Sequence, residues 1–520
     1  MRKEVVQANI VVFVASFCTL VIELVAGRIM APYVGVSLYT WTSIIGIVLA
    51  GISLGAYLGG RIADRWPSQT TLGWLLFLSG LGALSISPLT NLVGGADFQT
   101  SLMVRILLIT AIIFFVPSCL LGMISPVVVK LTLKNLEKTG NVVGKIYAFS
   151  TLGSILGTFA TGFFLISWMG TRTILLAIGV ILILTSLVFG RFFLRGKALT
   201  IFLLIVIPIG VAVTTYHGHA FKMPLDEQTY FFKESDYYTI KLKKSNRSNN
   251  GNPLESLVLD HLIHSYTDLK DPFHLEYEYI RIYEEVVRWQ AKRRNSLKAL
   301  FLGGGGYTFP RFMEARYPHA QIHVVEIDPE ITKVAHRYLG IPERSKIRSF
   351  NEDGRWFVMN CQEPGSYDFI FGDAFNDLSI PYHLATKEFA LSLKRLLKED
   401  GILLANVIDS FKEGLFMPSY IRTLEEAFGK GHVHLILLSS DYERIGISTC
   451  VVLASSKALD LEDFEKTMER DGKEITSHVM PPEKLQEFLG ERFTMVLTDD
   501  YVPVDNLIAP IFEERFGYRR

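Results

Sequence analysis

From Ala8 to Tyr216 the chain is dominated by long apolar runs, and beyond them it changes to short alternating segments of ordinary soluble composition. Runs of about 20 apolar residues match the hydrocarbon thickness of a bilayer. Seven can be drawn, at about 7–30, 41–61, 70–90, 103–129, 144–168, 172–191 and 198–216. They predict a transmembrane helical domain over 1–221. The first run is too long for a cleaved signal peptide and lacks a convincing cleavage site, so it is expected as a retained span.

Within this half, Gly51, Gly55 and Gly59, and again Gly153 and Gly157, recur four apart, which predicts close helix contacts. Glu23 lies inside the first run, followed by Arg28 in IELVAGRIMAPYVG. An intramembrane carboxylate is costly and usually paired. A structural ion pair or a protonated carboxyl is the expected reading, and a polar pocket or ion path the other. Basic residues cluster in the even connections: Arg61 and Arg65, then Lys130, Lys134, Lys138 and Lys145, then Arg191, Arg195 and Lys197. They place the N-terminus and the even connections in the cytoplasm. Seven crossings would then leave the second half outside.

In the second half, TYFFKESDYYTIKLKK and ESLVLDHLIHSY alternate as β-strands, joined by the polar loop KKSNRSNNGNP, and predict a small β-domain over 222–270. A helix is expected in HLEYEYIRIYEEVVRWQAKRR. Strands LKALFL, QIHVVEI, KIRSF, YDFIFGD, GILLANVI, HVHLILL and CVVLAS then alternate with helical segments over 271–520. That order predicts a mostly parallel, doubly wound sheet with ligands at the carboxyl ends of its strands.

Composition excludes little. Lys plus Arg and Asp plus Glu are both 52, so no bulk charge points to nucleic acid. The four cysteines, Cys18, Cys119, Cys361 and Cys450, form no CxxC or Cys/His spacing, and no metal site is expected.

Candidate chemistry sits at the strand ends. LKALFLGGGG brings Gly303, Gly304, Gly305 and Gly306 to the end of the first strand, where a ligand can approach bare backbone. The next strand ends VVEIDP, so Glu326 and Asp328 are placed to accept hydrogen bonds from a ribose diol. Asp353 and Gly354, in NEDGRWF, follow the third strand, and Asp353 suits an adenine amino group. Asp373, in FIFGDAFNDLSIPYHLATKEF, follows the fourth and suits a general base or a carboxylate that orients an amine. TMVLTDDYVPVDNL, with Asp499, Asp500 and Asp505, either closes over an acceptor site or is a turn that caps the last helix.

The β-domain, GGGG…VEIDPE, DGRWF and GDAF…P…F, in this order over about 226–460, resemble the spermidine synthases, or polyamine aminopropyltransferases. ESDYYTIKL and LVLDHLIHSYTDLKDPFHLEYEY resemble that family's N-terminal strands and gatekeeper segment, and the chain looks like its membrane-fused members. The resemblance implies an α-helical membrane bundle, a small β-domain and a Rossmann-like domain of the class I methyltransferase type. It implies transfer of an aminopropyl group from decarboxylated S-adenosylmethionine, as co-substrate and with no tightly bound cofactor, to putrescine or a related amine. Asp373 would then take the proton, helped by Tyr277, and Tyr238, His264, Glu276, Glu278, Asn376 and Asp377 are candidates for holding the amine. The partners implied are a small polyamine and the lipid bilayer, with a homodimer left open. A donor made in the cytosol conflicts with an outward-facing second half.

The sequence departs from the family at several of these points. The family loop reads GGGDGG, and its acid binds the donor's amine; here Gly306, Tyr307 and Thr308 stand in the last three positions. Tyr238 replaces a glutamine, Tyr277-Glu278 stands for a Tyr-Gln pair, and Asn376 stands where the family's second acid falls, with Asp377 adjacent. Glu278 is a candidate to compensate. Two other readings stay open: an S-adenosylmethionine-dependent methyltransferase, whose donor carboxylate a loop acid would repel, and a transporter or sensor that binds a nucleoside or polyamine without turnover.

Overall fold

The computed structural model describes residues 2–516 apart from 97, 99, 101, 134–138, 191–222, 249, 295, 375–379 and 472–474. The chain divides into two compact units, Met1–Asp226 and Glu227–Arg520.

Among the described residues, the first unit contains six helices long and apolar enough to cross a membrane: Val5–Val34, Leu38–Arg65, Gln69–Val93, Met103–Thr132, Thr139–Trp168 and Thr171–Phe189. Six of the seven expected runs fall on them, and the seventh, 198–216, lies outside the described residues. In finer detail these are α1 (Arg2–Val34), α2 (Leu38–Arg65), α3 (Gln69–Val93), α4 (Leu102–Gly122), α5 (Ile124–Thr132), α6 (Thr139–Ala160, continued by a π-helical turn at Thr161–Leu165) and α7 (Thr171–Phe189). The fourth run is thus two helices, interrupted at Met123 between Gly122 and Pro126, where the proline lacks an N–H to continue the ladder. Ser37 and Ser68 start α2 and α3 by accepting from the N–H groups of Thr40 (3.2 Å) and Thr71 (3.0 Å). The glycine rows do pack helix on helix: Gly51, Gly55 and Gly59 lie against Phe115–Met123, and Gly153 and Gly157 against Phe13 and Phe17. For Glu23, only the ion-pair half of the expected reading is overturned, and the protonated carboxyl is untouched. Glu23 has no ion-pair or hydrogen-bond partner among the described residues, so no structural pair with Arg28 forms.

The second unit begins with an antiparallel sheet, β1 (Thr229–Glu234), β2 (Thr239–Arg247), β3 (Pro253–Leu259) and β4 (Leu262–Asp268), in that order. Part of the expected polar loop is strand, because Lys244 and Arg247 pair with Glu255 and Pro253. An eight-stranded sheet follows, in the order β12-β10-β11-β9-β8-β5-β6-β7. Its strands are β5 (Lys298–Leu302), β6 (Gln321–Val325), β7 (Arg348–Phe350), β8 (Tyr367–Gly372), β9 (Leu397–Ser410), β10 (Val433–Leu437), β11 (Ile447–Ser455) and β12 (His478–Val479). β5 to β9 are parallel. The sheet is mostly parallel, as expected, and beyond β9 the strands β11, β10 and β12 join antiparallel. The link from Leu437 to Ile447 holds only a 3-10 turn, too short for the crossover that parallel strands require.

The helices that bear on the site are α8 (Glu278–Ala291), α9 (Thr308–Arg316), α10 (Pro329–Tyr338) and α11 (Gly354–Asn360). Phe301 of β5 and Phe371 of β8 stack with ring centroids 4.4 Å apart, and Phe309 of α9 meets Phe371 edge-on at 5.3 Å. This buried aromatic layer fixes the heights of β5 and β8, and so the positions of the glycine loop and Asp373 that follow them.

Candidate active site

The glycine loop is built by close approach. Gly303 has φ +99, donates to the Val325 carbonyl at 2.8 Å, and lies so near the Asp373 carbonyl that a Cβ would overlap it. Tyr307 closes the loop in the left-handed region (φ 56) and is fully buried, its hydroxyl bonded with Ser349 (3.1 Å) and Thr332 (3.2 Å). The N–H groups of Gly304 (2.8 Å) and Gly305 (3.3 Å) point at Glu326 Oε2, and the Asp328 N–H at Oε1 (3.0 Å). Burial pushes the Glu326 carboxyl up from its ordinary value, and these N–H groups partly offset the shift.

Glu326 lines a cavity of about 150 Å³ together with Tyr238, His264, Gly303, Asp353, Gly354 and Asp373. Asp353 caps α11 through the Trp356 N–H (2.9 Å), while its second oxygen meets His383 Nε2 at 2.9 Å. Burial pushes the Asp353 carboxyl up, but the hydrogen bonds from Trp356, His383 and the Arg355 N–H, with the charge of His383, outweigh it and hold the group below its ordinary value. The cavity thus has one carboxylate at the β6 end and another at the β7 end.

Asp373 separates this cavity from a smaller one of about 50 Å³, and His264, Gly303, Gly305 and Asp373 line both. Its oxygens accept from Tyr279 Oη (2.9 Å) and Asn406 Nδ2 (2.8 Å). Enclosure by protein pushes its carboxyl up, and the two bonds pull it partly back. The small cavity is walled by Tyr266, Tyr277, Tyr279 and Tyr283, with successive ring centroids 5.1, 5.7 and 5.5 Å apart. Among its described residues Asp373 is the sole acid. The Tyr277 hydroxyl donates to the Ile263 carbonyl at 2.7 Å. Gly306 lies here too, and a Cβ on it would overlap the Ser265 side chain.

A model of the spermine/spermidine synthase domain matches residues 284–432, which include the glycine loop, Glu326, Asp353 and Asp373. The stretch that carries the site is thus similar to a spermine/spermidine synthase domain. The chain is 36% identical to a polyamine aminopropyltransferase of Vibrio vulnificus over 116 residues, 22% of this chain and 39% of that protein. It is 25% identical to polyamine aminopropyltransferase 2 of Aquifex aeolicus over 474 residues, 87% of this chain and 88% of that protein. A solved probable spermidine synthase from Corynebacterium glutamicum aligns at 21% identity and TM-score 0.46, covering 54% of this chain and 98% of that one.

Around this site, not every expected residue comes together. Gly303 to Gly306, Glu326, Asp353, Gly354 and Asp373 line the two cavities, as do Tyr238, His264 and Tyr277. Asp328 does not line either. It is buried, caps α10 through the Glu330 N–H (2.9 Å) and accepts the Ser235 hydroxyl. Glu276 pairs with His274 at 2.7 Å, and Glu278 is exposed on the first turn of α8, so neither compensates for the missing loop acid. Asn376 and Asp377 lie outside the described residues. In the C-terminal acid cluster, Asp499 neither covers an acceptor nor caps the last helix; it clamps Arg355 of α11, next to Gly354 of the larger cavity. The residues that the sequence reading did not single out are Tyr279, Asn406, His383 and Ser265. Only Asn406, one amide in the apolar strand GILLANVI, carried a visible signal.

Proposed function

We propose that the second unit transfers the aminopropyl group of decarboxylated S-adenosylmethionine to putrescine or a related amine and releases methylthioadenosine. The observation that carries this reading is Asp373, held by Tyr279 and Asn406 at the junction of a carboxylate-lined cavity and a tyrosine-lined one. In this reading Glu326 receives the ribose diol and Asp353 the adenine edge. The acceptor's amine attacks the methylene bound to sulfur. As the C–N bond forms, the C–S bond breaks and its electron pair returns to sulfur, leaving a neutral thioether. The proton shed by the amine goes to Asp373. Its raised proton affinity suits this task, because a carboxylate pushed up from its ordinary value holds an abstracted proton more readily. The sulfonium already supplies the electrophile, so positioning and proton removal are what the protein must add.

With Gly306 in the loop, an ammonium entering the small cavity meets aromatic faces in place of a loop carboxylate. Tyr266, Tyr277 and Tyr279 offer cation–π contacts that hold an amine without a second fixed charge. We also propose that the six long helices cross a bilayer. Six crossings return Gly190 to the side of the N-terminus, and the basic even connections make that side cytoplasmic, where the donor is made.

The test is product identification by mass spectrometry. The detergent-purified chain is given putrescine with either decarboxylated or intact S-adenosylmethionine, with Asp373→Asn as control. Methylthioadenosine and spermidine from the decarboxylated donor, absent in the variant, are expected. S-adenosylhomocysteine from the intact donor would replace this reading with methyl transfer.

A further inference from the structure

The first unit contains a cavity of about 300 Å³ that the transfer reaction does not use. It is walled by α1, α2, the α4–α5 interruption and α6. Ser16 and Thr19 lie near the middle of Val5–Val34, Ile52 near the middle of Leu38–Arg65 and Ser154 near the middle of Thr139–Trp168, so the cavity sits about half-way along the helices. Mid-depth cavities beside interrupted helices are where membrane proteins bind polar ligands.

Its lining is hydroxylated. Ser16, Thr19, Ser125, Ser150 and Ser154 contribute side chains, and no Lys or Arg does. Ser16 and Ser150 bond each other at 2.6 Å, and Thr19 donates to the Ala15 carbonyl at 2.8 Å. The hydroxyls of Ser125 and Ser154 have no partner among the described residues. Glu23 lies outside that lining but stands one turn beyond Thr19 on the same face of α1, half-buried. It also has no partner among the described residues, while the buried Arg172 is engaged elsewhere by Ser87 and Tyr33. A lone carboxylate at this depth is expensive, and a ligand that brings a positive charge would remove that cost.

We infer that this cavity binds a small protonated amine, its ammonium against Glu23 and its remaining N–H groups on the serine hydroxyls. The inference rests on the reading that these helices cross a bilayer, and it is independent of the transfer chemistry. The test measures binding of radiolabelled putrescine and spermidine to the full chain in lipid nanodiscs, with aminopropyl turnover followed on the same samples. Glu23→Gln removes the charge, Ser154→Leu fills the cavity, and Glu23→Asp retains the carboxylate.

The expected result is a class of amine sites whose Kd weakens about tenfold or more in the first two variants. Glu23→Asp keeps those sites, and kcat/KM for transfer is unchanged in all three. Size-exclusion profiles matching the wild type establish that the variants are folded. Equal stoichiometry and Kd in all variants would overturn the inference. So would a fall in turnover that tracks the fall in binding, since the catalytic site would then be what the label reports. A co-purifying lipid that excludes the amine would overturn it too. Failure of the bilayer reading is seen separately, as release of the chain from membranes without detergent.

Discussion

Replacing Tyr279 by Phe removes one hydroxyl and tests whether Asp373 acts as a base whose proton affinity is set by its two hydrogen bonds. The Tyr279 hydroxyl donates to one carboxylate oxygen at 2.9 Å and the Asn406 amide to the other at 2.8 Å. Both bonds favour the ionised form, against the burial that disfavours it. A hydrogen bond to a charged group nets about 1.5–3 kcal/mol in favour of the ionised form, so its loss moves the Asp373 pKa further up. The Phe ring keeps its place between Tyr277 and Tyr283, 5.7 and 5.5 Å away, so the fold is retained. A base works only when deprotonated, and a higher pKa therefore moves the loss of activity on acidification to higher pH. The assay is kcat/KM for the amine against pH in wild type and Tyr279→Phe. Ionisation of the amine shapes both profiles equally, so the displacement between their acid limbs isolates the enzyme group. An acid limb that stays in place, or moves to lower pH, would refute the assignment of Asp373 as the base.

Glu326→Gln removes the charge proposed to hold the ribose and is expected to raise the donor KM about 10–100-fold with kcat little changed, as a charge-assisted hydrogen bond predicts; methylthioadenosine titration provides the matching Kd, and an unaltered donor KM counts against the role. Gly306→Asp rebuilds the loop acid where a Cβ would overlap Ser265, and is expected to cost about 1–3 kcal/mol of stability by overpacking. Urea unfolding should show Ser265→Gly recovering most of that loss in the double variant, and a neutral single substitution would remove the packing argument.

The periodicities that mark the long helices were legible because burial along a helix or a bilayer leaves a continuous apolar run, and the six described runs fall on six helices. What periodicity could not show was the interruption at Met123, since Gly122 and Pro126 lie inside an otherwise unbroken apolar stretch. The parallel strands were legible from helix-length connections between them. The antiparallel turn of the sheet was decided by a length, the short link from Leu437 to Ile447, which an alternation of strand patterns alone does not weigh.

The site divides in the same way. Acids directly after parallel strands were legible because strand direction places them at one edge, and Glu326, Asp353 and Asp373 all line cavities there. Asp328 differs from Glu326 by position alone: it immediately precedes Pro329 at the first turn of α10, where a carboxylate satisfies backbone N–H groups and turns away from the ligand edge. Tyr279 was hidden because its meeting with Asp373 depends on how α8 lies across β8, a tertiary fact with no local signature. The glycine at 306 and the serine at 265 belong to that class as well. Ser265 of β4 fills the space that a side chain at 306 needs, so the missing loop acid is a property of how the small sheet meets the loop. An acid cannot return at 306 without a change on β4. In the proposed reading the amine end of the site is specified jointly by two segments some forty residues apart, and the tyrosines around it are left, with Asp373, to recognise a cation.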